Sequence, residues 1–261
     1  MCVVCLHDKA EIEACLRQDA PLHLYSLGDL DDFFWPYTQW YALKHQGQIH
    51  AIVLMYTAFS PPVLLALSPP EKLRDLRVLL KELLPLLPRQ VYTHLSLGVE
   101  DVFDAYSQTS FGIHDKMVLK DQAQLQPFVS PRAIRLLPEH LPEIQALYQA
   151  SYAGNAFDPR MLETGQFYGL WEANQLVSVS GIHVYSPAFR VAAIGNVATH
   201  PDYRNRGFAK AVTAALCQSL LEKVDQIGLN VKADNVPAIQ SYRRLGFEVC
   251  ASYHEVMLEL I

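Results

Sequence analysis

An excess of positive charge is the first thing this chain lacks. Lys and Arg number 21 against 27 Asp and Glu, a formal net charge of −6. Phosphate backbones demand a basic face, so nucleic acid is excluded as a partner. Long apolar runs are missing too: the longest, 51–56 and 63–67, are too short to span a bilayer, and no membrane association is expected. The first residues carry no basic segment leading into an apolar core and a cleavage site, so no secretory signal is expected either. Cysteine is scarce and scattered, at Cys2, Cys5, Cys15, Cys217 and Cys250. Cys2 and Cys5 form one C-x-x-C, with no second pair to complete a zinc site and no preceding strand to make a redox motif. Free thiols in a reducing cytoplasm are the expectation. Neither Gly-x-x-x-x-Gly-Lys-Ser/Thr nor Gly-x-Gly-x-x-Gly occurs, which argues against a nucleotide-phosphate enzyme.

What is present suits a well-buried globular chain: 51% of the 261 residues are apolar and 18% charged. That length has room for two domains of modest size. In the first half, 8–17 reads as a short helix. Strands read at 40–43 and 49–56 around a turn at 44–48, then at 63–67. Leu73, Leu76, Leu79, Leu80, Leu83 and Leu84 form a helical stripe that stops at Pro85. Further strands read at 91–97 and 117–119, with a short helix at 102–106. The polar stretch 120–132 carries Pro127 and Pro131 and marks a boundary, giving domains 1–128 and 129–261. The second half reads as a strand at 133–137, a helix at 139–150, a polar loop at 151–158, and strands at 167–171, 176–185 and 191–199. Two closing strands, 247–252 and 255–261, are expected around a turn near Tyr253 and His254.

The stretch Val197-Ala198-Thr199-His200-Pro201-Asp202-Tyr203-Arg204-Asn205-Arg206-Gly207-Phe208-Ala209 carries the chemistry. It reads as a strand ending at a proline, then an Arg-x-x-Gly-x-Ala loop opening a helix whose face holds Phe208, Val212, Ala215, Leu216 and Leu220. A helix N-terminus leaves backbone N–H groups without intrahelical partners and carries partial positive charge. Gly207 lets the turn tighten and an anion approach the backbone, and Arg204 and Arg206 add full charges. The loop is a pyrophosphate cradle. After it come an alternating strand, 227–231, and Asn235-Val236-Pro237-Ala238-Ile239-Gln240-Ser241-Tyr242-Arg243-Arg244-Leu245-Gly246-Phe247.

With both motifs in this order and spacing, the second half resembles the GNAT superfamily of acyl-CoA-dependent N-acyltransferases. The resemblance implies that Arg204, Asn205, Arg206, Gly207, Phe208 and Ala209 hold the diphosphate of acetyl-CoA. It also implies that Val197, Ala198 and Thr199 pair with the pantetheine arm as an added strand. The backbone N–H near Val197 would then point at the thioester oxygen. Tyr242 is the candidate general acid for the leaving thiolate, a phenol of pKa near ~10 against a thiol near ~8.5; the alternative is a packing role. Asn235 caps the helix that carries Tyr242, and also stands as a candidate pantetheine contact.

Many members of the superfamily carry a glutamate base two residues before the position of Val197; here that position is Gly195. The candidates to replace it are His183, Glu163 and His254, and for His183 an ordinary strand histidine is the alternative. A lysine-like amine is neutral in about one molecule in ~2,500 at pH 7, a penalty of roughly 4.6 kcal/mol, against about 1 kcal/mol for an α-amino group. A less basic acceptor is therefore expected. Tyr152, Asn155, Asp158, Tyr185 and Asn196 are the candidates to line the acceptor pocket, with Asp158 either holding a cationic amine or capping the turn that follows it.

The halves also echo each other. Trp40-Tyr41-Ala42-Leu43 matches Phe167-Tyr168-Gly169-Leu170, and Ser60-Pro61 matches Ser186-Pro187. The echo fails at the loop: aligning Pro70 with Pro201 sets Leu73 at Arg204, Asp75 at Arg206 and Leu76 at Gly207. The fold expected is α/β, two GNAT-like domains of mixed, mostly antiparallel sheet with helices on both faces, the first without a coenzyme A loop. This arrangement is loosely similar to glycine N-acyltransferase-like relatives. The activity implied is acetyl transfer from acetyl-CoA to the amine of a small molecule or peptide by direct attack in a ternary complex. The alternative is a non-catalytic acyl-CoA-binding regulatory module, separable by thiol release.

Overall fold

A hairpin with the same turn geometry recurs in each half of the chain. Strands β2 (Thr38–His45) and β3 (Gln48–Tyr56) join through Gln46-Gly47, with φ of 49° and 80°. Strands β8 (Tyr168–Glu172) and β9 (Gln175–Ser186) join through Ala173-Asn174, with φ of 46° and 63°. Two-residue loops with both φ positive match the right-handed twist of paired strands. In each case a third strand adds antiparallel to the second: β4 (Val63–Ala66) on β3, and β10 (Val191–Thr199) on β9. In each case a helix then crosses to a parallel strand. Helix α3 (Leu73–Leu83) leads from β4 to β5 (Gln90–Ser96), and α5 (Phe208–Leu221) leads from β10 to β11 (Gln226–Lys232). The halves thus share one plan, α/β with mixed sheets, as the echo in the sequence implies.

This computed structural model describes residues 2–261. The chain divides into two compact units. The first takes the residues through Lys116 together with Val231–Asp234 and Val249–Ile261; the second takes Met117–Asn230 and Asn235–Glu248. These are not the contiguous stretches 1–128 and 129–261, because the C-terminal strand joins the N-terminal residues. That strand, β12 (Phe247–Leu260), is unbroken and pairs with β5 from Tyr253↔Ser96 to Glu259↔Gln90. The turn expected near Tyr253 and His254 is absent. The stretch contains no Gly, Pro, Asn or Asp to make one, and Tyr253 is fully buried in the ladder.

In the first unit, β1 (Cys2–Leu6) pairs with β2, ahead of α1 (Lys9–Leu16) and α2 (Leu24–Gly28). The leucine stripe of α3 is buried as expected, with Leu76, Leu79, Leu80 and Leu83 packed on Val53, Leu64, Val91, Leu95, Val256 and Leu258. The short helix expected at 102–106 is a 3₁₀ turn, Glu100–Phe103, and the expected strand at 117–119 is the end of a longer one, β6 (Tyr106–Leu119). In the second unit, β7 (Ile134–Arg135) is only two residues long. It pairs with β8, ahead of α4 (Leu141–Ser151), and α6 (Val236–Arg244) follows β11. Among the described residues no cysteine is in a disulfide, and no metal-holding cluster is found. No helix among them is long and apolar enough to cross a membrane.

Candidate functional site

The second unit parts its parallel strands where the first keeps them together. Strand β10 follows β11 in register from Val191↔Gln226 to Ile194↔Leu229 and no further, although it runs on to Thr199. On its other side it stays on β9 through Thr199↔Ser178, but only by way of a bulge: Gly195 faces Gly181 and Ala198 faces Val179. Asn196 and Val197 therefore oppose one residue, which bends the strand. Asn196 takes the left-handed conformation the bulge needs, φ 55°. Val197, Ala198 and Thr199 thus lie where β11 offers no partner, and an extended ligand can pair there. In the first unit all of β4, Val63 to Ala66, stays in register with Tyr92 to Leu95.

The loop after β10 is built as the sequence implies. A 3₁₀ turn, Pro201–Tyr203, leads to Arg204, whose Nε donates to the Thr199 carbonyl at 3.4 Å. Asn205 (φ 63°) and Gly207 (φ 82°) are both left-handed, and Gly207 is the N-cap of α5 without any side-chain cap. Only glycine takes this conformation freely. The first helical bond there is Ala211 N–H to the Gly207 carbonyl at 3.1 Å, so the amides of Phe208, Ala209 and Lys210 have no intrahelical acceptor. A Cβ built on Gly207 would meet nothing within 4 Å, so the cradle is open. Phe208 anchors it by packing on Leu170, Val177 and Val212, and Arg206 spreads over the rings of Tyr203 and Phe208 at 5.4 and 5.1 Å. An uncapped helix end, an open glycine and a parted strand fit a diphosphate with an extended arm. The first unit offers no such loop: α3 is preceded by Lys72 at φ −106°, and its Asp75 faces His50 at 3.4 Å.

Around the bulge, side chains from β9, β10 and α4 meet. His183, half-buried on β9, lays its ring over Gly195: a Cβ at 195 would fall 1.9 Å from its Cδ2. The imidazole fills the space a side chain at that position would need. Burial lowers its pKa to about 4, so it is neutral at pH 7. Asn196 is 2% exposed; its Nδ2 donates to the Ile182 carbonyl at 3.1 Å, and its Oδ1 has no hydrogen-bond partner among the described residues. Tyr148 of α4 donates its hydroxyl to the Asn196 carbonyl at 2.8 Å. Tyr242 of α6 has its pKa raised by burial, with Tyr152 and Cys217 as its electrostatic neighbours, and its ring meets Phe247 at 6.0 Å. A raised pKa keeps the phenol protonated at neutral pH but makes it a weaker acid.

The other candidates separate. Asn235 caps α6, accepting from Ala238 N–H at 3.3 Å. Asn155 is spent on its own loop, its Nδ2 donating to the Tyr152 carbonyl at 2.6 Å and its Oδ1 accepting from Phe157 N–H at 2.9 Å. Asp158 caps the turn Pro159–Thr164 and is paired with Arg160 at 2.6 Å, which lowers its pKa; of its two readings the structure displays the cap. Tyr185 sits apart from the cradle, beside Gln166, Arg135 and Glu222 near the far end of α5. Glu163 is exposed on the Pro159–Thr164 turn. His254 belongs to the first unit, bonded to Ser110 Oγ at 2.6 Å and facing Glu100 at 3.3 Å. Tyr148 was not legible beforehand: with Ile144 and Leu147 it reads as the apolar face of a helix.

Residues 134–247 match the family model described as acetyltransferase (GNAT) family. A mycothiol acetyltransferase from Corynebacterium aurimucosum is 38% identical over 69 residues, which cover 26% of this chain and 22% of that protein. The chain thus spans less than a quarter of the length of that curated relative. Among solved structures, a GNAT-family protein from Novosphingobium aromaticivorans superposes with a TM-score of 0.63 at 19% identity, covering 93% of this chain and 100% of that one. A tandem GNAT protein from the clavulanic acid biosynthesis pathway superposes with a TM-score of 0.56 at 14% identity, over 99% and 98%. Those identities speak for the fold. Cradle, parted strand and family model fall on the same stretch of the chain, and it is this segment, 134–247, that is similar to the GNAT acetyltransferases.

Proposed function

We propose that the second unit is an acetyl-CoA-dependent N-acetyltransferase acting on the amine of a small molecule or peptide, by direct attack in a ternary complex. One observation carries this reading: the uncapped, glycine-opened end of α5 and the parting of β10 from β11 occur together in one unit. The first unit has neither and serves without coenzyme A.

Acetyl-CoA, when bound, supplies the activated acyl thioester. The amides of Phe208 to Lys210, with Arg204 and Arg206, hold its diphosphate, each charge-assisted bond contributing about 1.5–3 kcal/mol. Val197, Ala198 and Thr199 pair with the arm, and Val197 N–H is the donor toward the carbonyl oxygen. Neutral His183 receives the amine proton, directly or through water, from beside the position the family's glutamate would take. Its low pKa means it passes that proton on to solvent quickly. Asn196 Oδ1, buried and unpartnered, accepts an N–H of the incoming amine. Tyr242 faces the departing thiolate, and Tyr152 flanks the entrance. A base of pKa about 4 favours an acceptor that arrives neutral, such as an α-amino group, over a lysine-like amine.

A second reading has its own observation. Gly195 stands where many relatives carry a glutamate base, which suits an acyl-CoA-binding regulatory module that does not turn over. Thiol release from acetyl-CoA with an α-amine panel, together with calorimetry, separates the two. The enzyme reading expects binding and release, with Gly207→Val weakening binding at least tenfold while the melting curve is retained. Binding without release for any amine supports the module. No heat with acetyl-CoA or longer acyl thioesters sinks both.

A further inference from the structure

The bulge that bends β10 is bonded by a buried phenol. Asn196 keeps a left-handed backbone, and a non-glycine residue there is strained by about 1–3 kcal/mol unless its surroundings over-determine it. Three bonds do so: Asn196 Nδ2 to the Ile182 carbonyl at 3.1 Å and to Met161 Sδ at 3.5 Å, and Tyr148 Oη–H to the Asn196 carbonyl at 2.8 Å. Tyr148 is 4% exposed, and burial raises its pKa, so it remains a donor at any working pH. Its ring is wedged by Phe157 at 5.2 Å, which in turn meets Phe167 at 5.6 Å. Phe167 lies flat over Gly181, where a Cβ would clash at 2.1 Å, and Gly181 is the partner of Gly195 across the ladder. Two facing glycines let two rings, Phe167 and His183, press on the sheet next to the bulge.

The carbonyl of Asn196 and the N–H of Val197 are opposite ends of one planar peptide. A bond that fixes the oxygen therefore fixes the direction of the hydrogen. Hydrogen bonding at the oxygen also draws electron density from nitrogen and makes that N–H a stronger donor. We infer that Tyr148 is a positioning residue for acyl transfer, aiming and polarising the Val197 N–H toward the charge that develops on the carbonyl oxygen. The inference rests on the proposed acetyltransferase activity for its catalytic consequence. Its structural half, a phenol that polarises one peptide, stands independently. A preorganised donor counts most in the transition state, so the loss should appear in kcat and leave KM alone.

The test is Tyr148→Phe in the full chain. Removing one neutral hydrogen bond predicts a kcat roughly three- to tenfold lower, with KM for acetyl-CoA and for the amine unchanged within twofold. In amide NMR of the free protein, the Val197 signal should move upfield more than any other of β10, and the Asn196 carbonyl carbon should move with it. Phe157→Leu, which loosens the ring but keeps the hydroxyl, should leave both signals near their wild-type positions. If Tyr148→Phe does not fold, the unmutated protein decides: a carbonyl carbon at Asn196 shifted downfield of its β10 neighbours supports the bond, and an ordinary value overturns the proposal. Unmoved Val197 and Asn196 signals in the variant, or a loss confined to KM, also overturn it. Wild-type protein that releases no thiol with any amine sinks the acetyltransferase reading while the two NMR signals still answer for the bond.

Discussion

At position 195 this chain places a glycine with an imidazole lying on it. The ring of His183 and a side chain at Gly195 cannot coexist, since a Cβ at 195 would sit 1.9 Å from ring carbon Cδ2. The two positions therefore act as one unit: an imidazole on β9 fills the room that β10 leaves at Gly195. His183 has a folded pKa of about 4 against 6.5 for a free imidazole. Because the folded value is the lower one, neutral His183 contributes stability in full above pH 6.5. That contribution fades as pH falls from 6.5 through 4. The kcat/KM profile should accordingly hold its activity below pH 6.5 and show a protonation limb near 4. His183→Gln should abolish that limb and lower kcat by about 10²-fold, the low end of what a positioned base contributes. A variant whose pH profile superposes on the wild type would remove His183 from the mechanism.

At the scale of elements, the two parallel strand pairs make opposite predictions. Strand β4 is in register with β5 along its whole length, whereas β10 leaves β11 after Ile194. Hydrogen exchange on the free protein should find the amides of 64–66 protected. One or more amides of 197–199 should exchange at least tenfold faster and become protected when acetyl-CoA is added, because an extended arm supplies the missing acceptors. Equal protection in both states would mean that no strand is added there. These elements also show what the sequence could disclose. Hairpins, the leucine stripe of α3 and the loop before α5 follow from turn residues, helical spacing and one glycine, all local signals. The long β6 is hidden because its stretch Ser107 to Phe111 is mostly polar and solvent-facing and lacks alternation. Strand β1 was missed because its five residues, Cys2–Leu6, look like an unremarkable lead-in to α1. Likewise the uncapped helix end proposed to hold the cofactor is legible from Gly207 and its neighbours. The cluster proposed to meet the acceptor is not, because Tyr148, the bulge at Asn196 and the imidazole over Gly195 meet only in three dimensions.

For the whole molecule, the consequential feature is the return of the C-terminal strand to the N-terminal unit. Local patterns assign β12 to the half that precedes it, yet its residues Val256 and Leu258 are in the core built on α3, and Tyr253 is completely buried. Burying each such side chain contributes about 1.5–3 kcal/mol, and losing three of them with a seven-residue ladder would remove most of the margin a domain of this size has. A fragment of residues 1–128 should therefore fail to unfold cooperatively. It should do so only when a peptide of residues 247–261 is added in trans, and the melting temperature should rise with peptide concentration as mass action requires. Replacing Val256 in that peptide by Asp should abolish the rescue, because a carboxylate would enter an apolar core without a partner. If the fragment melts cooperatively by itself, the first unit is self-sufficient and the strand is an accessory. If it needs the peptide, the order of synthesis matters: the N-terminal unit cannot close until residues 253–259 have been made. The second unit, which draws only Phe247 and Glu248 from that strand, is free to fold first.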